Sequence, residues 1–475
     1  MLFNSVQFFV FFGIVLGLYR LLDHRWQNRM LLIASYIFYG AWDWRFLSLI
    51  WISTFIDFWC GGRMQRAADQ RSRRRFLMIS VVSNLGILGF FKYFNFFSEN
   101  LIRLAEAAGW NLHPATLDII LPVGISFYTF QSMSYTIDIY RGELKAHDSL
   151  LEFALFVAFF PQLVAGPIER ARHLLPQVAR PRTVTWEQVC EGSYLILWGL
   201  FLKVFVADNL AVVVDNAYSL EAGLVKERVW LGTYAFAFQI FGDFAGYSNI
   251  ARGVSRCMGF DIMNNFFAPY MAASPSDFWR RWHISLSTWL KDYLYIPLGG
   301  NRHGTTATLR NLMLTMVIGG LWHGAAWTFV LWGFYHGVLL VGYRLAAGRL
   351  GGARPAHPVV AGAAGVVQVI VFFHFVCLGW MMFRAESLTH FGQLMAAMIW
   401  QPPGLEAGVT GIIMRKVAFF AGPAMAVQIV QYWRNDILAL YRLPWVARGI
   451  WYYALVMLIL IYGVTEANDF IYFQF

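Results

Sequence analysis

Charge is what this sequence has least of. Asp, Glu, Lys and Arg make up 13% of 475 residues, about half of the roughly 25% found in soluble domains. A surface facing water cannot be covered at that density, whereas a surface facing lipid requires it. The mean hydropathy of +0.51 agrees, and an ordinary soluble globular domain is excluded. Acidic residues are the scarcer kind, 27 against 37 basic ones, for a net charge of +10. In so apolar a chain the basic surplus reads as Lys and Arg on cytoplasmic loops, against anionic lipid headgroups. No basic module with stacking aromatics marks a nucleic-acid partner.

Cysteine is sparse too. Cys60, Cys190, Cys257 and Cys377 stand far apart, with no CxxC pair, so neither a disulfide framework nor a thiolate metal site is expected. They read as small buried apolar residues. Also missing are the GxxxxGK[ST] nucleotide loop, the HExxH zinc motif and the GxSxG nucleophile elbow. Their absence sets aside an ATPase, a zinc protease and an α/β-hydrolase. No metal ligand set is expected. A transporter or flippase would use intramembrane polar residues and commonly shows paired repeats, and no duplication is visible here. With no long polar linker either, the expectation is one helical membrane domain over residues 1–475.

Long apolar runs are what the chain does have. A crossing needs ~20 residues, and the candidate segments are 5–22, 30–61, 76–101, 116–137, 150–165, 189–207, 229–250, 309–321, 323–347, 359–383, 410–432 and 449–465. The expected fold is all-α and polytopic, with about eleven to thirteen membrane segments, some too short to cross and re-entrant. The first run starts beside Met1 without a basic region or cleavage site, so it is read as a retained membrane segment. Arg20, Arg25 and Arg29 precede the 30–61 stretch, and Arg63, Arg66, Arg71, Arg73, Arg74 and Arg75 follow it. Both flanks are expected in the cytoplasm, which makes the stretch a hairpin. Arg170, Arg172, Arg180 and Arg182 mark a third cytoplasmic loop, and Arg434, Arg442 and Arg448 a fourth. The last helix then runs outward, leaving the C-terminus extracytoplasmic.

Two stretches mix charge and aromatics in a way that neither a clean span nor a polar loop does. Residues 274–304 read SPSDFWRRWHISLSTWLKDYLYIPLGGNRHG. Trp and Tyr favour the headgroup level, and the stretch reads either as an interfacial amphipathic helix or as a basic mouth for a phosphorylated donor. Arg280, Arg281 and Lys291 are its candidate donor contacts. Residues 319–327 read GGLWHGAAW, which sets His323 between glycines in apolar surroundings. Ionisable groups at membrane depth are costly and point to function, although a hydrogen-bonded core histidine has the same local pattern. His336 follows thirteen residues later, about 3.6 turns. On one straight helix the two rings would face opposite sides, so they are a poor metal pair and His336 reads as a support. Gly333 and Gly337 form a GxxxG, which helix packing explains.

In that order, DFWRRWHISLSTWLKDYLYIPLGGNRHG and GGLWHGAAWTFVLWGFYHG resemble the bacterial membrane-bound O-acyltransferases, in the branch that O-acetylates alginate, cellulose or peptidoglycan. Supporting stretches are ASYIFYGAWDWRF, GFFKYFNFF, LPVGISFYTFQSMSYTIDIYRGE, FFPQLVAGPIER and FIYFQF. Residues 241–249, FGDFAGYSN, depart from the FDFSGYSD of alginate members. The resemblance implies a central tunnel between a cytoplasmic donor side and an extracytoplasmic acceptor side, in a bacterial inner membrane. It implies that His323 is the catalytic histidine and that His283 is a second catalytic-site residue. It implies acetyl-CoA as co-substrate with no permanently bound cofactor, a separate periplasmic acetyltransferase partner, and an exported polysaccharide as final acceptor. D-alanyl or other acyl transfer to a cell-envelope polymer is the alternative within the family. The FIYFQF tail is similar to the acyl-carrying tail of a partner peptide in D-alanylation, which makes Tyr472 a candidate acyl carrier; an aromatic anchor is its other reading.

Overall fold

The structure is a computed structural model and describes residues 1–110, 117–349, 362–464 and 470–471. The described residues are helical and contain no strand. Among the described residues, six helices are long and apolar enough to cross a membrane: Gln70–Ala107, Trp186–Tyr218, Trp327–Ala346, Ala363–Arg384, Ala407–Arg434 and Trp445–Tyr462. The chain is therefore an all-helical, multi-pass membrane protein. It divides into two compact units, Met1–Ser193 with Ala251–Met263, and Tyr194–Ile250 with Asn264–Phe475.

The first unit is pinned by polar side chains. Helix Ile125–Arg141 is buried on nearly every side, and burial of its polar run is offset by hydrogen bonds, among them those of the Ser132, Ser134 and Thr136 hydroxyls. Asp57 on helix Leu47–Arg66 accepts hydrogen bonds from Ser80 (2.6 Å) and Asn84 (2.9 Å) on helix Gln70–Leu88. Ser80 in turn lies 2.8 Å from the Thr136 hydroxyl. Between apolar helices such bonds replace the hydrophobic drive that lipid cannot supply. The 30–61 stretch is two helices, His24–Asp43 and Leu47–Arg66, joined by a turn at Trp44–Phe46.

Two sequence expectations change here. The 150–165 run is not one segment: helix Leu150–Ala158 stops at Phe159, whose ψ of 109° leaves the helical region, and Pro161 opens a separate short turn. The third arginine cluster is also only partly a solvent-facing loop. Arg170 is buried. Arg182 donates to Asn28 (2.8 Å), the Tyr19 hydroxyl (2.7 Å) and the carbonyls of Gln177 and Val178. These guanidiniums close the fold, so their charge is a weaker marker of sidedness than a count of basic residues suggests.

In the second unit, glycines set how closely helices approach. Helix Gly304–His323 meets helix Trp327–Arg349 where a Cβ on Gly320 would lie 2.3 Å from the Phe329 carbonyl oxygen, and one on Gly333 would lie 2.4 Å from that of Met316. A Cβ on Gly337 would strike Met313 Sδ at 2.6 Å. Helix packing is thus what the GxxxG serves.

Candidate active site

His323 is the last residue of its helix, and the next helix begins at Trp327. The straight-helix premise for His323 and His336 therefore fails. The break falls just after His323 rather than before it, and the two rings sit on different helices. Gly324 makes the break possible: any Cβ there would lie 2.1 Å from the Phe329 ring. Both imidazoles are buried and flank a single indole. Trp332 lies 4.9 Å from His323 and 4.8 Å from His336, centroid to centroid. His336 also packs on Trp279 (5.2 Å) and Phe278 (6.1 Å), a supporting position.

His283 arrives from the other charged stretch. Ser274 caps helix Pro275–Trp279 by accepting the Asp277 N–H at 3.2 Å, with Pro275 pre-set for the first turn. The chain then turns back, and His283 takes φ 42° and ψ 54° before helix Ile284–Leu290. A side chain in the left-handed region is uncommon outside Gly, Asn and Asp, and such strain clusters at functional sites. Asn265 holds the turn. Its carbonyl accepts the Ile284 N–H at 3.0 Å and its Oδ1 accepts the Ser285 N–H at 3.3 Å, while its Nδ2 donates to Ser248 Oγ at 3.1 Å. The wall behind His283 is the 241–249 stretch, with the Phe244 ring 4.5 Å from the imidazole at 87°. The outcome is that His283 and His323 lie 6.4 Å apart, centroid to centroid.

A cavity of about 200 Å³ opens on His323, its wall including Gly319, Trp332, Trp279, Ser287 and Lys291. Most of the wall is apolar, and among the described residues Lys291 is the cation on it. The three candidate donor contacts consequently part company. Lys291 lines the cavity with its side chain 60% exposed. Arg281 is mostly buried, bonded to Asp277 at 3.0 Å and stacked 4.9 Å over Tyr432. Arg280 points outward, 74% exposed, 3.8 Å from the same Asp277. Tyr472 lies outside the described residues. Among the described residues, no three His, Cys, Asp or Glu side chains cluster so as to hold a metal ion. Sequence reading missed Asn265, Ser248 and Phe244, whose partners lie 17 or more residues away in the chain, and Trp332, whose place between the two imidazoles depends on the break after His323.

The family profile for membrane-bound O-acyltransferases matches residues 141–378, which include all three histidines. A probable alginate O-acetylase of Pseudomonas putida is 40% identical over 494 residues, 99% of each chain. One from Pseudomonas aeruginosa is 44% identical over 416 residues, 86% of this chain and 78% of the relative. A peptidoglycan O-acetyltransferase of Helicobacter pylori is 33% identical over 395 residues, 78% of this chain and 73% of the relative.

Proposed function

We propose that this chain, which belongs to the membrane-bound O-acyltransferase family, passes an acetyl group from cytoplasmic acetyl-CoA across the inner membrane for O-acetylation of an exported polysaccharide. The observation that carries this reading is a buried imidazole, His323, on the wall of an apolar cavity that also presents Lys291, with His283 6.4 Å away.

The chemistry follows from that placement. An acceptor hydroxyl between the two rings gives its proton to His323 as its oxygen attacks the thioester carbonyl carbon. The tetrahedral intermediate collapses, the C–S bond breaks, and the departing thiolate takes a proton back. Positioned base catalysis of this kind is worth ~10²–10⁴ in rate. The volume of about 200 Å³ is below the ~300–1,000 Å³ of sites that swallow a drug-sized ligand. It suits a short acyl group on its linear arm, with the nucleotide left outside and Lys291 nearest to its phosphates. In this reading eleven to thirteen segments surround a tunnel, and Tyr472, in an extracytoplasmic C-terminus, receives the acetyl group as a phenyl ester. A separate periplasmic transferase then moves it to polymer. A phenol is a better leaving group than an alkyl alcohol, so onward transfer is downhill.

Purified protein in detergent, given acetyl-CoA, tests the reading. Free CoA should appear, and acetyl should be found on Tyr472 by peptide mass spectrometry. A protein that releases no CoA is not an acetyltransferase. Transfer to polymer that continues unchanged in Tyr472→Phe returns the tail to an anchoring role.

A further inference from the structure

Lys203, Asp208 and Asp243 form a buried ion cluster that takes no part in the chemistry above. The Lys203 ammonium lies 2.9 Å from Asp208 and 2.6 Å from Asp243, and each side chain is under a tenth exposed. Two features bring these charges together. Lys203 sits in a π-helical turn, Phe201–Ala207, and such turns are frequent at functional sites. Gly199 and Gly246 let the helices approach until a Cβ on Gly246 would lie 3.0 Å from the Lys203 backbone nitrogen.

Burying such a group is costly, and replacing it with packed apolar side chains is often neutral or stabilising. Stability alone therefore explains it poorly. The second oxygen of Asp243 supplies another reason, since it accepts the backbone N–H of Ile471 at 2.7 Å. Beside that bond the Phe470 ring packs 4.9 Å from Tyr247 and 5.8 Å from Phe244. The same Phe244 ring rests on His283. Segment 470–471, the Asp243–Tyr247 turn and His283 thus form one continuous packed row.

We propose that Asp243, aimed by Lys203, is a latch that seats Phe470–Ile471 against the wall of His283 and so sets the geometry of acyl transfer. Asp243 and Lys203 are positioning residues, since neither touches the reacting atoms. Every residue but proline at 471 keeps the backbone N–H, so the latch selects where the segment lies rather than which residue it carries. Losing Asp243 still leaves Lys203 paired with Asp208, so no charge is stranded.

The test uses the full chain with Ile471→Cys, reacted with maleimide and read by peptide mass spectrometry, with buried Cys377 as internal reference. Against the Asp243 parent, Asp243→Leu should speed labelling at 471 at least tenfold and leave Cys377 unchanged. Asp243→Asn keeps an acceptor oxygen and should fall between the two. Acetyl transfer should drop about tenfold in kcat for Asp243→Leu, with the KM for acetyl-CoA unchanged and partial recovery in Asp243→Asn. Unchanged labelling at 471, a joint rise at 471 and 377, or unchanged kcat overturns the latch. The kinetic arm rests on the acetyl-transfer reading and the labelling arm does not. A parent that consumes no acetyl-CoA fails that reading while labelling still decides the latch.

Discussion

The imidazoles of His283 and His323 lie 6.4 Å apart with their planes inclined at 55°, brought there from two stretches that share no local structure. His283 sits at a strained turn and His323 at the end of a helix, so each ring is held by backbone that cannot slide. The two positions are expected to respond differently to substitution. His323→Ala should lower acetyl transfer by ~10²–10⁴ at normal abundance in the membrane. For His283, Asn is the informative replacement because it accepts the left-handed conformation. His283→Asn should keep abundance and lose activity, whereas His283→Val should lose both. His336→Ala should be milder than His323→Ala. Equal losses at 323 and 336, measured as CoA release, would reverse the assigned roles.

Asn265 makes three hydrogen bonds that hold the His283 turn. Asn265→Ala removes the two side-chain bonds, to the Ser248 hydroxyl and from the Ser285 N–H, each worth about 0.5–1.5 kcal/mol. The expected result is a kcat about tenfold lower with donor KM unchanged. Wild-type kcat would mean that the strained turn holds without it.

Gly379 on helix Ala363–Arg384 leaves room for the supporting imidazole: a Cβ there would lie 2.8 Å from His336 Nε2. The ring has little space to retreat, being packed on Phe278, Trp279 and Trp332. Overpacking of this kind costs about 1–3 kcal/mol. Gly379→Ala should therefore push on Trp332 and through it on His323, cutting turnover several-fold although no polar group has been removed. Thermal stability measured in the same preparation should fall with it.

Lys291 and Arg281 separate binding from structure. Lys291→Gln should raise the KM for acetyl-CoA several-fold with kcat and abundance near normal, and the rise should shrink at high salt, as expected of a half-exposed charge. Arg281→Gln breaks the bond to Asp277 and the stacking on Tyr432, so it should lower abundance instead. A KM effect at Arg281 with full abundance would exchange the two assignments.

Sidedness can be read with single cysteines at the exposed positions Ala68 and Thr183, in a background where the four native cysteines are alanine. Both should react with impermeant maleimide only once the cytoplasmic side is opened. Thr183 is preferable to its neighbour Gln177, which exchanges two hydrogen bonds with Asp261 and would be disturbed by substitution.

What the sequence disclosed and what it concealed divide by range. The GxxxG and the imidazole between glycines are local patterns that marked a real close contact and a residue at the cavity, whereas the apolar runs marked helices less evenly, the 150–165 run being broken at Phe159. Boundaries were less legible. The segments 309–321 and 323–347 set the break ahead of His323, yet the helix runs through Gly319 and Gly320 to His323, and Gly324 follows its end. Asn265 carried no local mark, because its partners are Ser248 and Ser285. Arg182 was counted among loop charges, whereas its guanidinium reaches Tyr19 and Asn28, more than 150 residues away in sequence. A basic residue bonded inside the fold and one at the headgroup look alike until the tertiary partners are known.

The π-turn Lys291–Tyr295 follows directly on helix Ile284–Leu290, and a turn of that kind is an α-helix with one residue too many. Deleting Tyr293 or Leu294 would let the helix close with ordinary spacing and turn everything after it by ~100°. Tyr295, which lines the cavity beside Lys291, would then swing away from it although no cavity residue had been lost. Around this cavity the number of residues is a constraint in its own right, so relatives with the same chemistry should tolerate changes of letter in 291–295 more readily than changes of length.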